Sequence, residues 1–139
     1  MAKSRFAVLI GMTLIVGILA GVAGTRAADT LPVKRTMLIQ TPLVENGSGE
    51  RHAQMYITEA APGVTLGKHF HHAHTFVYVL QGAITIEEEG KPAMTFGPGQ
   101  AFHEPPMFRH DARSGATTPL KILVFQAPLK GQPLAEAVK

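Results

Sequence analysis

Beyond residue 33, apolar and polar residues alternate in short runs that Gly and Pro residues separate. Runs of this kind, rich in Val, Ile, Phe, Tyr and Thr, are typical of β-strands. The pattern predicts strands over 36–41, 53–60, 67–71, 74–81, 83–89, 93–96, 101–104, 108–113 and 120–126. Many short strands at regular turn spacing predict an all-β sandwich or barrel. Only the tail PLAEAVK (133–139) fits a single helical turn.

The first 28 residues follow a different pattern, which predicts export. Lys3 and Arg5 precede a mainly apolar run over residues 6–24, and small residues follow at positions 27 and 28. This is the layout of a secretory signal peptide. An uncleaved membrane anchor is the alternative, because about 20 apolar residues suffice to span a bilayer. Residues 29–139 are therefore expected to form one exported domain that is periplasmic, secreted or anchored facing outwards.

The charge of the chain argues against a nucleic-acid partner. The formal net charge is +3, but Lys3, Arg5 and Arg26 belong to the export segment, and the rest carries ten Lys and Arg against ten Asp and Glu. Nucleic-acid-binding domains display a basic patch, and no cluster of Lys and Arg is present. The chain also has no cysteine, so its stability must come from its core.

Histidines are concentrated in GKHFHHAHTF (67–76), which holds four of the seven in the chain. On a strand, His69 and His71 project to the same side and can bind one cation, whereas the other two project to the opposite side. Two imidazoles hold a metal loosely, so a third ligand is expected from elsewhere, and His110 is the natural candidate. The alternative is an exposed His-rich tract with weak metal affinity.

The spacing of residues around these histidines follows two longer motifs. After His71, Thr75 follows three intervening residues and Gly82 closes the stretch after six more. The second motif begins at Gly99, and Pro105 follows after five intervening residues. Met107 comes two positions later, His110 follows after two more residues, and Ser114 after another three. Both spacings resemble those of the cupins, small barrels of the jelly-roll type. The resemblance covers roughly residues 34–128 and implies an all-β double-stranded β-helix, with a single cupin domain over 29–139.

The resemblance also implies a metal site. Cupin sites commonly use two His and a Glu of the first motif together with the His of the second. This implies that His69, His71 and His110 bind one divalent metal, while Thr75 occupies the usual Glu position. Candidates for an extra ligand are Glu104, which could lie on either face of its strand, and His74, against which strand alternation argues.

A pocket beside the metal is a further implication of the resemblance. Its expected lining residues are Met107, Val77 and Val79. On the other side of the same strand, three large side chains are expected to cover a second sheet or a partner subunit in a homodimer: Phe76, Tyr78 and Leu80.

The function implied by the resemblance is metal-dependent chemistry on a small molecule. Imidazole ligands do not distinguish Fe, Zn, Ni, Mn and Cu. Some cupin oxygenases use iron bound by three His, so a metal-dependent oxygenase is the first expectation. The alternatives are a non-enzymatic module that binds metal or a small ligand, and a cupin whose site has lost its metal. Membrane contact is expected only through residues 6–24, if this segment is not cleaved.

Overall fold

The computed structural model describes residues 33–43 and 49–139, which form ten β-strands and no helix. The predicted all-β class is therefore confirmed. The strands are β1 (Val33–Leu43), β2 (Arg51–Ala60), β3 (His69–Phe70), β4 (Thr75–Gln81), β5 (Ile84–Glu87), β6 (Met94–Phe96), β7 (Ala101–Glu104), β8 (Asp111–Ser114), β9 (Leu120–Gln126) and β10 (Glu136–Ala137). The export segment predicted over residues 1–28 lies outside the described ranges. Within those ranges, no helix is long and apolar enough to cross a lipid bilayer.

Two antiparallel sheets enclose the core. One sheet has five strands in the order β1-β2-β9-β4-β7, and the other has three in the order β6-β5-β8. A short pair of strands, β3 and β10, lies outside both sheets. Neighbouring strands are mostly distant in sequence, as in a jelly roll.

Strand alternation decides which side chains reach the core. On β4, Val77 and Val79 are 4% and 0% exposed, whereas Phe76 and Tyr78 are 51% and 44% exposed. The core residues come from both sheets, so the barrel interior is a single apolar cluster. Its buried members are Tyr56, Ala60, Val77, Val79, Ile84, Ile86, Ala112, Leu120, Ile122 and Val124.

Gly82, the last residue of the first motif, makes the turn from β4 to β5. Its φ angle is +72°, in the left-handed region that glycine adopts without strain. A Cβ atom at this position would lie 2.6 Å from the carbonyl oxygen of Pro119. The motif requires Gly here, because the backbone of the β8–β9 connection lies too close to this position to leave room for a side chain.

The prediction of a helical turn in the tail was wrong. The tail forms β10, which pairs antiparallel with β3: Ala137 lies opposite His69 and Glu136 opposite Phe70. Seven residues are too few to stabilise an isolated helix, whereas the exposed backbone of β3 offers hydrogen-bond partners. The pairing places the end of the chain directly against the first two predicted ligands.

Candidate metal centre

Three histidines from two segments of the chain meet at one end of the barrel. His69 begins β3, His71 follows it, and His110 immediately precedes β8. The backbones of His69 and His110 are bridged, with His69 N donating to His110 O at 2.9 Å and His110 N donating to His69 O at 3.1 Å. One potential ligand atom from each of the three rings lies within 4.8 Å of the others. All three side chains are buried.

Backbone carbonyls fix the orientation of each ring. The Nδ1 atoms of His69, His71 and His110 lie 2.6, 2.6 and 3.0 Å from the carbonyl oxygens of residues 67, 134 and 108. A carbonyl oxygen can only accept a hydrogen bond, so each Nδ1 carries the proton and donates it. The Nε2 atoms are then left with free lone pairs, which is the tautomer that a metal requires when the other ring nitrogen is held by an outer partner.

Glu104 supplies a carboxylate to this cluster from the neighbouring strand. It ends β7 directly opposite Thr75 of β4 and is only 4% exposed. Its Oε1 lies 3.1 Å from Nε2 of His110, and its Oε2 lies 3.2 Å from Nε2 of His71. The residue that could have lain on either face thus points into the barrel.

The Glu104 carboxylate and the His110 imidazole shift each other's pKa. Burial alone raises the pKa of Glu104, but hydrogen bonds with His110 and His71 outweigh it and lower this pKa to about 2. Burial tends to lower the pKa of His110, but contact with Glu104 raises it overall. His69 has no such contact, and burial lowers its pKa, favouring the neutral ring. The centre is therefore held together by a buried negative charge facing two nitrogen atoms.

The donor atoms fit a divalent cation. Because Nδ1 of His71 and of His110 already donates to a carbonyl, an uncharged Nε2 would face the Glu104 oxygens lone pair to lone pair. Such an arrangement requires positive charge between the atoms, either a proton on each Nε2 or one shared metal ion. Imidazole nitrogen and carboxylate oxygen are ligands that zinc and the other first-row metals accept.

Thr75 is fully buried and takes a structural role at the usual Glu position. Its hydroxyl donates to the carbonyl of Ala73 at 3.2 Å and contacts Oε1 of Gln126 at 3.4 Å. In the sheet it lies between Gln126 and Glu104. The carboxylate absent from β4 is thus present one strand away, on the same face of the sheet.

The structure does not bring the other histidines of the 67–76 stretch to this centre. His74 faces outwards, with its Nδ1 2.8 Å from Nε2 of His103 and the two rings stacked. His72 pairs with Glu136 of β10 at 2.8 Å. Both His72 and His74 lie in the connection between β3 and β4, outside any strand, and His74 is not positioned as an extra ligand.

A small cavity of about 30 Å³ adjoins the three histidines and Glu104. This is room for one or two water molecules. Val77 is among its lining residues, as expected, but Val79 is not and is instead buried in the apolar core. Three polar residues that sequence reasoning missed also line the cavity: Arg35, Tyr56 and Thr58. Burial raises the pKa of the Tyr56 phenol, so its hydroxyl stays protonated and can donate a hydrogen bond.

The expectation that Met107 lines the pocket was wrong. Its side chain is 52% exposed and is not among the residues around the cavity. Met107 stands where the second motif usually has Gly, and its φ angle of 62° lies in the left-handed region. This turn points the side chain outwards, while Met107 N donates to His71 O at 2.8 Å. Its contribution to the centre is therefore a backbone contact.

The tail secures the centre from outside. The carbonyl of Leu134 accepts hydrogen bonds from Nδ1 of His71 at 2.6 Å and from Nε2 of Gln126 at 3.1 Å. Val138 N also donates to Lys68 O at 3.0 Å, next to His69. Sequence reasoning missed this support, because a backbone carbonyl acts as a partner whatever its side chain is.

Comparison with protein families and with known sequences identifies one matching family. The model of the cupin domain matches residues 56–126, just over half of the chain. This stretch contains all four residues that converge in the centre. Comparison with curated protein sequences found no match.

Several solved structures are similar to this chain. A cupin-like protein from Thermotoga maritima has 27% identity and a TM-score of 0.59, over 76% of this chain and 75% of its own. KdgF from Halomonas sp. has 25% identity and a TM-score of 0.54, over 68% and 78%. The polyketide cyclase RemF from Streptomyces resistomycificus has 22% identity and a TM-score of 0.59, over 78% and 72%. The similarity to RemF concerns the fold alone.

Proposed function

This chain belongs to the cupin domain family, and on that premise we propose that it binds one divalent metal ion and uses it on a small molecule. The proposed ligands are His69, His71, His110 and Glu104. The observation that carries the proposal is the arrangement of Nδ1 donors, which leaves three Nε2 atoms and a buried carboxylate facing one another.

Each protein group has a distinct part in this proposal. The carbonyls of residues 67, 134 and 108 orient the imidazoles, and Glu104 offsets one of the two positive charges of the ion. When bound, the ion supplies a Lewis acid and, if it is redox-active, one-electron chemistry with dioxygen. The protonated hydroxyl of Tyr56 can hydrogen-bond a ligand in the adjoining cavity, and the exposed Arg35 at the cavity wall favours an anionic ligand.

We propose a metal-dependent oxygenase as the first candidate activity. A cavity of about 30 Å³ beside the histidines has room for a small co-substrate such as dioxygen. The second candidate is a non-enzymatic module that holds a metal or a very small ligand. The small cavity volume supports it, because an organic substrate would fit only if the wall around Arg35 moved. We further propose that the protein acts outside the cytoplasm, on the strength of the apolar run over 6–24.

Metal analysis of the untagged protein tests the proposal. Elemental analysis is expected to find about one divalent ion per chain, and iron-loaded protein is expected to consume oxygen with a phenol, diketone or thiol substrate if the oxygenase activity is correct. Metal at one equivalent without oxygen consumption favours the binding module. Metal well below one equivalent after loading and desalting contradicts the metal centre itself.

Removal of residues 133–139 is expected to weaken metal binding about 10–100-fold, the usual cost of losing an outer partner of a metal-bound His. The deletion removes the Leu134 carbonyl that holds Nδ1 of His71 and the β10 strand that holds β3. Competition with a chelator of known affinity measures the change.

Deletion of Lys139 alone is the matched control, because it shortens the chain but leaves Leu134 and β10 in place. It is expected to leave the affinity unchanged. Equal affinities of the 133–139 deletion and the full chain would show that the tail does not position the ligands.

A further inference from the structure

The cavity beside the metal centre has polar groups at two ends and a largely apolar wall between them. The five-stranded sheet has the order β1-β2-β9-β4-β7, with Glu104 on β7 at one edge and β1 at the other. The strands between contribute Val77, Ile122 and Val124 to the cavity wall. A molecule that extends from the metal centre along this sheet therefore contacts a short apolar surface and then the side chains of β2 and β1.

β1 and β2 present three hydrogen-bonding side chains to this cavity. Arg35 and Thr58 are direct partners in the β1–β2 ladder, so their side chains leave the same face of the sheet with Cβ atoms about 5 Å apart. Tyr56 lies two residues before Thr58 and projects to the same face. We call this group the donor wall, and its members all line the cavity: Arg35, Tyr56 and Thr58.

The two hydroxyls of the donor wall are buried without a partner in the protein. Tyr56 and Thr58 are 3% and 2% exposed. Within residues 33–43 and 49–139, neither hydroxyl makes a hydrogen bond, and the Arg35 guanidinium makes neither a hydrogen bond nor an ion pair. Buried polar groups in native proteins are nearly always hydrogen-bonded to protein or to water. The donors that the protein leaves free at this cavity are therefore available to a ligand.

The hydroxyl of Tyr56 lies near two opposite charges. Burial raises the pKa of this phenol, the positive charge of Arg35 opposes the rise, and the negative charge of Glu104 adds to it. The hydroxyl therefore stays protonated and can donate a hydrogen bond. Because it senses both charged side chains, the donor wall and the metal centre are close enough for one small molecule to contact both.

The charge of the cavity favours an anion. Glu104 is the one acidic residue among the side chains that line it. Once a divalent ion is bound by neutral imidazoles and this carboxylate, one positive charge remains at the centre, and Arg35 adds another at the donor wall. In a largely enclosed space these charges attract a small anion more strongly than they would in water.

A carboxylate fits the donor wall better than a larger oxyanion. The planar guanidinium of Arg matches the two oxygens of a carboxylate in a bidentate pair, and the two hydroxyls can donate to the remaining lone pairs. The cavity of about 30 Å³ has room for one or two water molecules. The two oxygens of a carboxylate can take the positions of two waters, whereas a phosphate group brings four oxygens.

We propose that the donor wall binds the carboxylate of a small aliphatic acid, and that the ligand or substrate of this cavity belongs to that class. This inference rests on the proposed function, because the histidines and Glu104 line the other end of the same cavity. Arg35 is exposed on the edge strand β1, so its side chain can turn outwards to admit the acid and then pair with its carboxylate. Arg35 is therefore the residue that selects the ligand.

Calorimetric titration of the zinc-loaded full chain with propionate tests the inference. Propionate is expected to bind, and propionamide, which has nearly the same shape but no charge, is expected to bind at least about tenfold more weakly. Arg35→Met is expected to raise the propionate Kd about 10–100-fold, as loss of a hydrogen bond to a charged group does. Tyr56→Phe, which removes only a hydroxyl, is expected to raise it at least about fivefold.

Lys34→Met is the matched control for Arg35→Met. It removes the same charge from the adjacent position of β1, but Lys34 projects to the other face and pairs with Glu59 at 3.9 Å. It is expected to leave the propionate Kd unchanged. Arg35→Met protein that binds propionate as tightly as wild type, or an equal loss in the Lys34→Met control, would overturn the inference.

The comparison of propionate with propionamide uses the wild-type protein and so does not depend on how any variant folds. Equal affinities for the two molecules would also overturn the inference. Elemental analysis of the same samples separates this failure from failure of the proposed function. One zinc ion per chain without a preference for propionate contradicts the donor wall alone. Zinc well below one ion per chain contradicts the metal centre, and the preference for propionate then still decides the inference, because the donors belong to the chain.

Discussion

Alanine at His110 or at His71 is expected to reduce the metal content from about one ion per chain to background. Each substitution removes an inward Nε2 donor and leaves the buried Glu104 carboxylate with a single nitrogen contact. The loss should exceed the roughly 10–100-fold cost of removing an outer partner, because here a direct ligand is lost. Elemental analysis of untagged protein after metal loading and desalting measures it.

His72→Ala is the matched control for these two substitutions. His72 is adjacent to His71 in sequence, but its ring lies outside the barrel and pairs with Glu136. It is therefore expected to retain the wild-type metal content. If all three variants lost metal equally, the binding site would be an exposed His-rich tract and the buried centre would be the wrong assignment.

Strand alternation made much of this centre predictable from sequence. A period of two assigned Val77 and Val79 to the interior and Phe76 and Tyr78 to the exterior, and the structure places them so. The same period set His69 and His71 apart from the two outward histidines, although residues 71–74 form a bend between β3 and β4 instead of a continuous strand. Motif spacing brought in His110. These features depend on residues that are close in sequence or on a spacing that the family shares.

The position of Glu104 was not predictable in the same way. The side of the sheet on which its side chain lies depends on the register between β4 and β7, which pairs it with Thr75. The two residues are 29 positions apart, and a pairing at that distance produces no pattern in the local sequence. The predicted helical turn in the tail was wrong for a related reason, because β10 forms by pairing with β3, which is distant in sequence. Backbone pairings between distant segments are therefore the features that could not be predicted from the sequence.

Glu104→Gln is expected to weaken metal binding by at least about 100-fold and to change the pH dependence of folding. The amide keeps the size of the side chain but removes the negative charge that offsets the ion. Loss of one member of a buried ionic cluster is costly because its partners stay buried. Metal affinity by chelator competition and unfolding of the metal-free protein by denaturant measure the two effects.

The pH effect has a defined direction. The folded-state pKa of Glu104 is about 2, below its ordinary value of 4.5, so the folded state binds fewer protons than the unfolded state between these values. Its stabilising effect, about 3 kcal/mol, is complete above pH 4.5 and is lost as the pH falls towards 2. The raised pKa of His110 acts oppositely: its effect is complete below pH 6.5 and is lost as the pH rises through the raised value.

Glu104→Gln should therefore reduce the pH dependence of the unfolding free energy of the metal-free protein at both ends of this range. The substitution removes the Glu104 carboxylate, which titrates at the acid end and also raises the pKa of His110. A variant that is merely less well packed would lose stability equally at every pH. An unchanged acid limb between pH 4.5 and 2 would contradict the assigned ionisation of Glu104.

Exchange of two residues tests whether the carboxylate can act from either strand. Thr75 and Glu104 are direct partners in the β4–β7 ladder, so their side chains leave the same face with Cβ atoms about 5 Å apart. Thr75→Glu combined with Glu104→Thr moves the carboxylate to the position that other cupins use, and metal affinity is expected to return to within about tenfold of wild type.

Thr75→Glu alone places two carboxylates side by side in a fully buried position, and like charges so close disfavour joint ionisation. The single variant should therefore be less stable without metal than the double variant, and the opposite order would show that position 104 has a requirement beyond its charge.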